Sequence, residues 1–134
     1  ERSRRSIYMM SKRSRLLPLM TTFDFCDTTL SCGQRDVSLV PTQALALLNN
    51  HFVHEQSRAM AGRVFTEAGE EPGKQVRTAW QIALGRLPTE GELLAASAHL
   101  ESQAIHFKEQ KEENLPLVSL CHVLLNTNEF IFVD

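Results

Sequence analysis

The chain lacks the short patterns that usually mark a catalytic or cofactor-binding site. It has no H-E-x-x-H metal motif, no Gly-rich phosphate loop and no recognisable pairing of a nucleophile with a base. Its apolar runs fall well short of the roughly 20 residues that a membrane-spanning helix needs. The sequence therefore names no substrate, predicts no membrane span, and favours a non-catalytic role over an enzymatic one.

Cysteine is scarce, with three residues in 134. Cys26, Cys32 and Cys121 form neither an even disulfide framework nor a close C-x-x-C metal motif. Cys26 and Cys32 lie six residues apart in a turn-rich stretch and can join in an oxidising compartment, whereas Cys121 lies in an apolar periodic run and is predicted to be a core residue. Cys121-His122 resembles the end of a haem-attachment C-x-x-C-H, but Val118 stands where the first cysteine is required. No metal and no cofactor are predicted within this chain.

Positive charge is concentrated at the start of the chain. Residues 1–15 hold six basic residues and one acidic residue, a balance of +5, so the net charge of −2 leaves −7 on the rest. A basic arm can attract an anionic partner such as phosphate, sulfate or nucleic acid. Pairing with carboxylates of the same chain is the favoured interpretation because the remainder is so acidic, and we do not expect nucleic-acid binding.

The pattern of apolar residues divides the chain near residue 40. Residues 1–40 show no sustained helical period, and Pro18 interrupts the apolar run around it, so an irregular, partly extended arm belonging to a larger domain is predicted. From residue 41 apolar residues recur at spacings of three and four, which predicts a mainly α, bundle-like body of four or five helices over residues 41–134. The chain starts at Glu1 without an initiator Met, and we expect it to be a C-terminal fragment.

Helix boundaries are predicted from caps and from proline. One apolar stripe runs through Leu45, Leu48 and Phe52. A break or bend is predicted at Asn49-Asn50, so this part of the chain forms either two helices or one bent helix. A further helix is predicted from Gln75 to Arg86, and Thr89 with Glu92 forms a capping box that begins the next. The remaining predicted inward-facing residues are Val53, Met60, Val64, Val76, Ala79, Trp80, Ala83, Leu93, Ala96, Leu100, Phe107, Leu117, Leu120, Cys121, Leu124 and Leu125, with Pro116 in the first turn of the last helix.

Two polar groups are candidate sites. His51 and His54 share a helical face at i, i+3, but they lack a third ligand, so surface histidines beside Phe52 are favoured over a metal site. In the irregular arm, paired carboxylates could perform acid-base chemistry while arginines hold an anionic substrate. The same residues also make turns and tie down loops, and this structural interpretation is favoured. The members of this candidate polar cluster are Arg4, Arg5, Asp24, Asp27 and Arg35.

An ordered series of short motifs along the chain resembles one known family. The series consists of RRSIY at residues 4–8, Lys12-Arg13, Thr22-Phe23-Asp24 with Asp27, Cys32-x-x-Arg35, PTQALALLN at residues 41–49, Phe52, Gly85-Arg86-x-Pro88-Thr89, and LLNTNEF at residues 124–130. It is similar to the PSD family, a planctomycete-specific C-terminal domain of unknown function in large proteins that commonly also carry a cytochrome c domain.

The resemblance implies a tail on a longer exported protein, with haem c held in an upstream domain and an extracytoplasmic location. It implies that the partners are upstream domains of the same protein, with the arm at the seam between them. The alternative is part of an enzyme that acts on charged polysaccharide through the Arg and Asp cluster. Cys26 departs from the family pattern, where a proline is expected between the two aspartates, and this raises a disulfide with Cys32 as a specific expectation.

Overall fold

A computed structural model of the protein describes residues 18–25, 33, 41–108 and 114–132. Seven α-helices and no strands occur in these ranges, which confirms the predicted mainly α fold. Contacts divide the chain into two compact units, residues 1–46 and 47–134, whereas the predicted division after residue 40 stays a prediction. Within the described ranges, no helix combines the length and apolar character needed to cross a membrane.

The first unit contains α1 (Pro18–Thr22) and most of α2 (Pro41–Leu48). Pro18 was expected to interrupt this part of the chain, but it is the first residue of α1. Proline suits that position because its ring presets a helical φ and its missing N–H would have had no partner in the first turn. A short helix therefore lies within the region that was predicted to be irregular.

The second unit is built from the remaining helices and has α6 at its centre. The long helices α3, α4 and α5 pack against α6, and the short α7 contacts both α4 and α6. Links of a few residues join α3 to α4 and α4 to α5, as expected for neighbouring helices in a bundle. These helices are α3 (His51–Ala68), α4 (Pro72–Leu84), α5 (Glu90–His106), α6 (Leu115–Leu125) and α7 (Asn128–Ile131).

Asn50 separates α2 from α3, so the chain forms two helices here and not one bent helix. The backbone of Asn50 is extended, and its side-chain Oδ1 accepts a hydrogen bond of 2.8 Å from the N–H of Phe52. This side-chain oxygen caps one of the backbone donors that lack a partner at a helix start. The predicted break at Asn49-Asn50 is confirmed.

The ends of α4 differ from the predicted ones, while the start of α5 agrees. Pro72 begins α4 three residues before the predicted Gln75, and Gly85 ends it before the predicted Arg86 because its left-handed φ of 70° turns the chain out of the helix. At α5 the predicted capping box is confirmed. The Thr89 Oγ1 accepts from the Glu92 N–H, and the Glu92 carboxylate accepts from the Thr89 N–H at 2.7 Å.

The core of the second unit consists of the inward faces of α3 to α6. Cys121 is fully buried and Leu124 is 2% exposed, so the prediction of a core cysteine is confirmed. Burial raises the pKa of the Cys121 thiol to about 12, which keeps it protonated and unreactive at neutral pH. The other members of this core cluster are Met60, Ala61, Val64, Val76, Ala79, Trp80, Ala96, Leu100, Leu117 and Leu120.

The apolar stripe predicted at the start of the helical region does not face a core. Leu45, Leu48 and Phe52 are 60%, 45% and 41% exposed. The physical reason is that a spacing of three and four marks one face of a helix but does not show whether another element covers that face. The buried face of α3 begins at Val53, and its later members Met60 and Val64 are buried as predicted.

Replacing Leu124 by alanine is expected to destabilise the protein by about 2 to 5 kcal/mol, because the side chain leaves a cavity where α6 meets its neighbours. The matched control is Leu94→Ala, since Leu94 is 75% exposed and should change stability by less than about 0.5 kcal/mol. Urea unfolding of the 134-residue chain measures the change in the free energy of unfolding for each variant. Equal effects of the two substitutions would contradict the central position of α6.

Candidate functional site

The structure describes one member of the predicted polar cluster. Asp24 lies within the described residues, so its position can be compared with the prediction. The predicted cluster as a whole and the predicted disulfide therefore stay predictions. The members that lie outside the described residues are Arg4, Arg5, Asp27 and Arg35, together with both cysteines of the predicted disulfide, Cys26 and Cys32.

Asp24 occupies the turn that ends α1. Its φ is 53°, in the left-handed region that few residues other than glycine, asparagine and aspartate adopt readily. On either side of it, the N–H of Phe23 donates to the carbonyl of Met20 at 3.2 Å and the N–H of Phe25 donates to the same carbonyl at 3.0 Å. The second bond spans five residues around a left-handed residue, which is the arrangement of a Schellman helix end.

Gln43 of α2 fastens this turn through its side chain. The residue is 6% exposed, and its Nε2 donates to the backbone carbonyl of Thr22 at 3.0 Å. The same nitrogen lies 3.5 Å from Oδ2 of Asp24. The side chain of Gln43 therefore satisfies a backbone acceptor of this turn. The backbone of Asp24 thus serves helix termination, which favours the structural interpretation of this aspartate.

The densest polar arrangement in the described residues centres on Arg86, in the link between α4 and α5. Its guanidinium forms a two-bond pair with Glu92 at 2.9 and 2.7 Å, and a second two-bond pair with Glu129 at 2.6 and 2.8 Å. Nη1 also donates to the carbonyl of Leu87 at 3.1 Å. These five bonds equal the five N–H donors of a guanidinium, so Arg86 has no donor left for an anionic ligand.

The Arg86 cluster, which comprises Arg86, Glu92 and Glu129, joins three parts of the second unit. Glu92 is the capping-box carboxylate of α5 and also accepts from the Thr89 hydroxyl at 2.9 Å, while Glu129 belongs to α7. Hydrogen bonds from Arg86 lower the pKa of both carboxyls, and the same two carboxylates raise the pKa of Arg86. All three groups therefore keep their charges at neutral pH.

The sequence predicted only part of the Arg86 cluster. The Thr89 and Glu92 capping box was visible from its spacing, whereas the bonds from Arg86 to Glu92 were not predicted. The contact with Glu129 was missed because the two residues are 43 positions apart, and a single sequence contains no signal that pairs them.

A second arrangement that the sequence missed is a pair of stacked histidines. His54 of α3 and His122 of α6 have ring centroids 4.2 Å apart and an interplanar angle of 25°. His51, by contrast, has a side chain that is 82% exposed and lies 3.5 Å from Glu55. The predicted face shared by His51 and His54 is thus divided, because His54 contacts another helix while His51 faces solvent.

The described residues contain no group of three or more His, Cys, Asp or Glu side chains that could hold a metal ion. Parallel stacked rings such as those of His54 and His122 do not direct two ring nitrogens toward one ion in the tetrahedral geometry that zinc prefers. In the part of the chain that is described, the Arg86 cluster and the stacked histidines each join different helices.

Residues 1–100 match the PSD1 family, described as a protein of unknown function (DUF1553). The chain belongs to this family. No curated protein and no solved structure matches it. The matched range of the PSD1 family ends within α5, so it includes Arg86 and Glu92 but not Glu129, and the LLNTNEF segment lies beyond it.

Replacing Arg86 by lysine is expected to lower the melting temperature at pH 7. A lysine keeps the charge but cannot form two planar two-bond pairs with Glu92 and Glu129 at once. The control is Arg63→Lys, which alters an exposed pair with Glu67 one turn along α3 and should have a smaller effect. Thermal unfolding monitored by circular dichroism measures the melting temperature of each variant. Equal shifts in the two variants would contradict a joining role for Arg86.

Replacing Asp24 by alanine is expected to loosen the end of α1, because alanine in the left-handed region costs about 1 to 2 kcal/mol. Asp24→Asn is the control, since asparagine tolerates this region. Amide hydrogen exchange at Phe25 should accelerate roughly 5- to 30-fold in the alanine variant and little in the asparagine variant. Equal acceleration in both variants would show that the carboxylate, and not the backbone conformation, holds the turn.

Proposed function

We propose that this chain is a non-catalytic helical module that packs against upstream domains of a longer exported protein. Its membership of the PSD1 family supports an uncharacterised domain and leaves the activity open. The planctomycete origin, the export and the haem c group of an upstream domain come from the resemblance of the motif series. In this proposal the module contributes an interface, and any haem chemistry belongs to the upstream domain.

The observation that carries the proposal is the outer face of α5, which we define by Leu94, Ala98, Glu101 and Ile105. Leu94 is 75% exposed and Ile105 is 69% exposed. Their spacing of eleven residues places them on the same side of a helix, about three turns apart, because eleven residues at 3.6 per turn complete almost whole turns. Two large apolar side chains aligned on the exposed side of a long helix suit contact with another protein surface.

Covering these side chains supplies the energy for such an interface. Burying a leucine or isoleucine side chain contributes about 1.5 to 3 kcal/mol relative to leaving it in water. Contacts between domains of one chain need only modest apolar area, because the covalent link already holds the partners close together. An upstream domain of the same polypeptide is therefore the occupant that we assign to the outer face of α5.

The polar groups of the second unit support a structural role over a catalytic one. Both carboxylates of the Arg86 cluster are bound to the guanidinium, and the thiol of Cys121 is buried and protonated. A catalytic group needs an accessible position beside substrate and a pKa suited to proton transfer or attack. The Glu92 and Glu129 side chains are 34% and 48% exposed, but both carboxylates are held by Arg86, and the Cys121 thiol is buried. Each of these groups stabilises a helix end or the core.

The basic arm fits the same proposal. Residues 1–15 carry a net charge of +5, whereas the rest of the chain carries −7. If the arm lies at a seam between domains, its positive charge would be attracted to negative charge on the surfaces that meet there. The extracytoplasmic location in this proposal would also provide the oxidising environment in which Cys26 and Cys32 can join.

Binding between the chain and its upstream region tests the proposal. The upstream region encoded before Glu1 is produced separately and titrated with the 134-residue chain by calorimetry. The double variant Leu94→Glu and Ile105→Glu should weaken binding at least about tenfold, because two buried apolar side chains contribute more than 1.4 kcal/mol.

The matched control is the double variant Ala95→Glu and Ala104→Glu, which adds the same charge to exposed positions of α5 outside the outer face. It should bind like the unaltered chain, and both double variants should keep the wild-type melting temperature. If the unaltered chain binds and both double variants bind equally well, the assignment of the outer face of α5 is overturned.

A further inference from the structure

The stacked histidines connect α3 to the last turns of α6. The His54 and His122 rings lie 4.2 Å apart between centroids, and His122 is half-buried while His54 is exposed. The Nε2 atom of His122 is buried and has no hydrogen-bond partner among the described residues. A neutral imidazole tolerates this position because its apolar ring faces can stack, but a protonated ring would carry a charge there.

We propose that the stacked pair of His54 and His122 is an acid-sensitive contact, and that protonation of His122 loosens the end of α6 together with α7. The inference uses groups that the proposed interface on α5 does not involve. Its physical basis is the difference in free energy between a neutral and a charged His122 ring whose Nε2 atom is buried.

Protonation of His122 has two costs. The first is desolvation, since a charged ring at this depth would lose water and its buried Nε2 would have no acceptor. The second is repulsion from His54, which is also a cation when protonated. The buried Oδ1 of Asn126 has no hydrogen-bond partner among the described residues, and it makes no hydrogen bond to the His122 ring. The described residues therefore offer the charged Nε2–H of His122 no acceptor.

Desolvation, followed by the charge of His54, lowers the pKa of His122 below its ordinary value of 6.5. A group whose pKa is lower in the folded state takes up its proton more readily in the open state. The neutral ring thus contributes its stability above pH 6.5, and this contribution is lost as the pH falls below 6.5 toward the folded pKa. The upper end of this window lies above the range in which carboxylates ordinarily titrate.

Titratable and charged groups on the surrounding elements do not replace His54 in this role. On α5, His99 is hydrogen-bonded through Nε2 to Ser119 of α6 at 3.1 Å. On α7, Glu129 is bound to Arg86. The other such groups of the described helices packed against α6 are His51, Glu55, Arg58, Arg63 and Glu67 of α3, Lys74 and Arg77 of α4, and Glu90, Glu92, Glu101 and His106 of α5.

The end of α6 is built so that a change at His122 reaches α7. Asn126 donates from Nδ2 to the backbone carbonyl of His122 at 2.7 Å and closes the helix end. Thr127 follows at once, with its hydroxyl donating to the carbonyl of Leu124 at 2.8 Å, and its backbone caps α7. Movement of the His122 turn therefore disturbs the contacts that position α7 and its Glu129.

Nuclear magnetic resonance of the full 134-residue chain tests the proposal between pH 7.5 and pH 5. The ring signals of His122 should titrate below pH 6.5. Amide exchange at Thr127, Phe130 and Phe132, corrected for its intrinsic pH dependence, should rise as the ring becomes protonated. Once His122 is fully protonated, the exchange rate should have risen tenfold for each pH unit by which the fold lowers the pKa of His122.

Three variants separate the contact from general effects of acid. His122→Gln should abolish the acid-dependent rise in exchange, since the amide does not titrate. His54→Gln should reduce the rise and bring the His122 titration closer to pH 6.5, because the neighbouring charge is removed. His51→Gln is the matched control one turn away on α3, and it should behave like the unaltered chain.

A His122 ring that titrates at or above pH 6.5 would overturn the proposal, as would an unchanged acid-dependent rise in His122→Gln. If His122→Gln fails to fold, two measurements still test the proposal. These are the ring titration of the unaltered chain and the comparison of His54→Gln with His51→Gln. Equal behaviour of these two α3 variants would likewise count against an acid-sensitive contact.

Discussion

The guanidinium of Arg86 joins the end of α4 to both α5 and α7 in the second unit. It lies where α4 has just ended at Gly85, and it binds the capping carboxylate of α5 and the carboxylate of α7 together. Each neighbour supplies an acceptor pair in the plane of the guanidinium, the geometry that arginine offers and lysine does not. One side chain thereby relates the direction of α5 to the end of α4 and holds the C-terminal helix against both.

Helix α6 provides the apolar counterpart of this polar junction. It contacts α3, α4, α5 and α7, and its inner face is almost completely buried. At its C-terminal end two polar contacts meet, because His122 stacks on α3 while Asn126 and Thr127 lead into α7. The end of α6 is consequently held from one side by a ring stack and, through Glu129, from the other side by Arg86. This is the segment that we propose responds to the charge state of His122.

Much of the helical fold was predictable because its signals are local. Periodic apolar residues indicated the inner faces of α3 to α6, and the Thr89 and Glu92 spacing indicated the start of α5. The exposed stripe of Leu45, Leu48 and Phe52 was misassigned because periodicity marks one face of a helix but does not reveal whether another element covers that face. Pro18 was misassigned for a related reason, since proline both interrupts helices and begins them. In the candidate site the Thr89 and Glu92 capping box was predicted, while the partners of Arg86 and His122 were not.

By itself the sequence determined the helical class, the position of the capping box, the core character of Cys121 and a series of motifs that points to the PSD1 family. Each of these features depends on residues a few positions apart in the chain, so their spacing and side-chain chemistry are enough to predict it. Only the tertiary structure decided that Arg86 meets Glu129 across 43 residues and that His54 stacks on His122. The reason is that these contacts arise from the packing of α3, α4, α6 and α7, and the relative rotation and depth of packed helices are properties of the whole core.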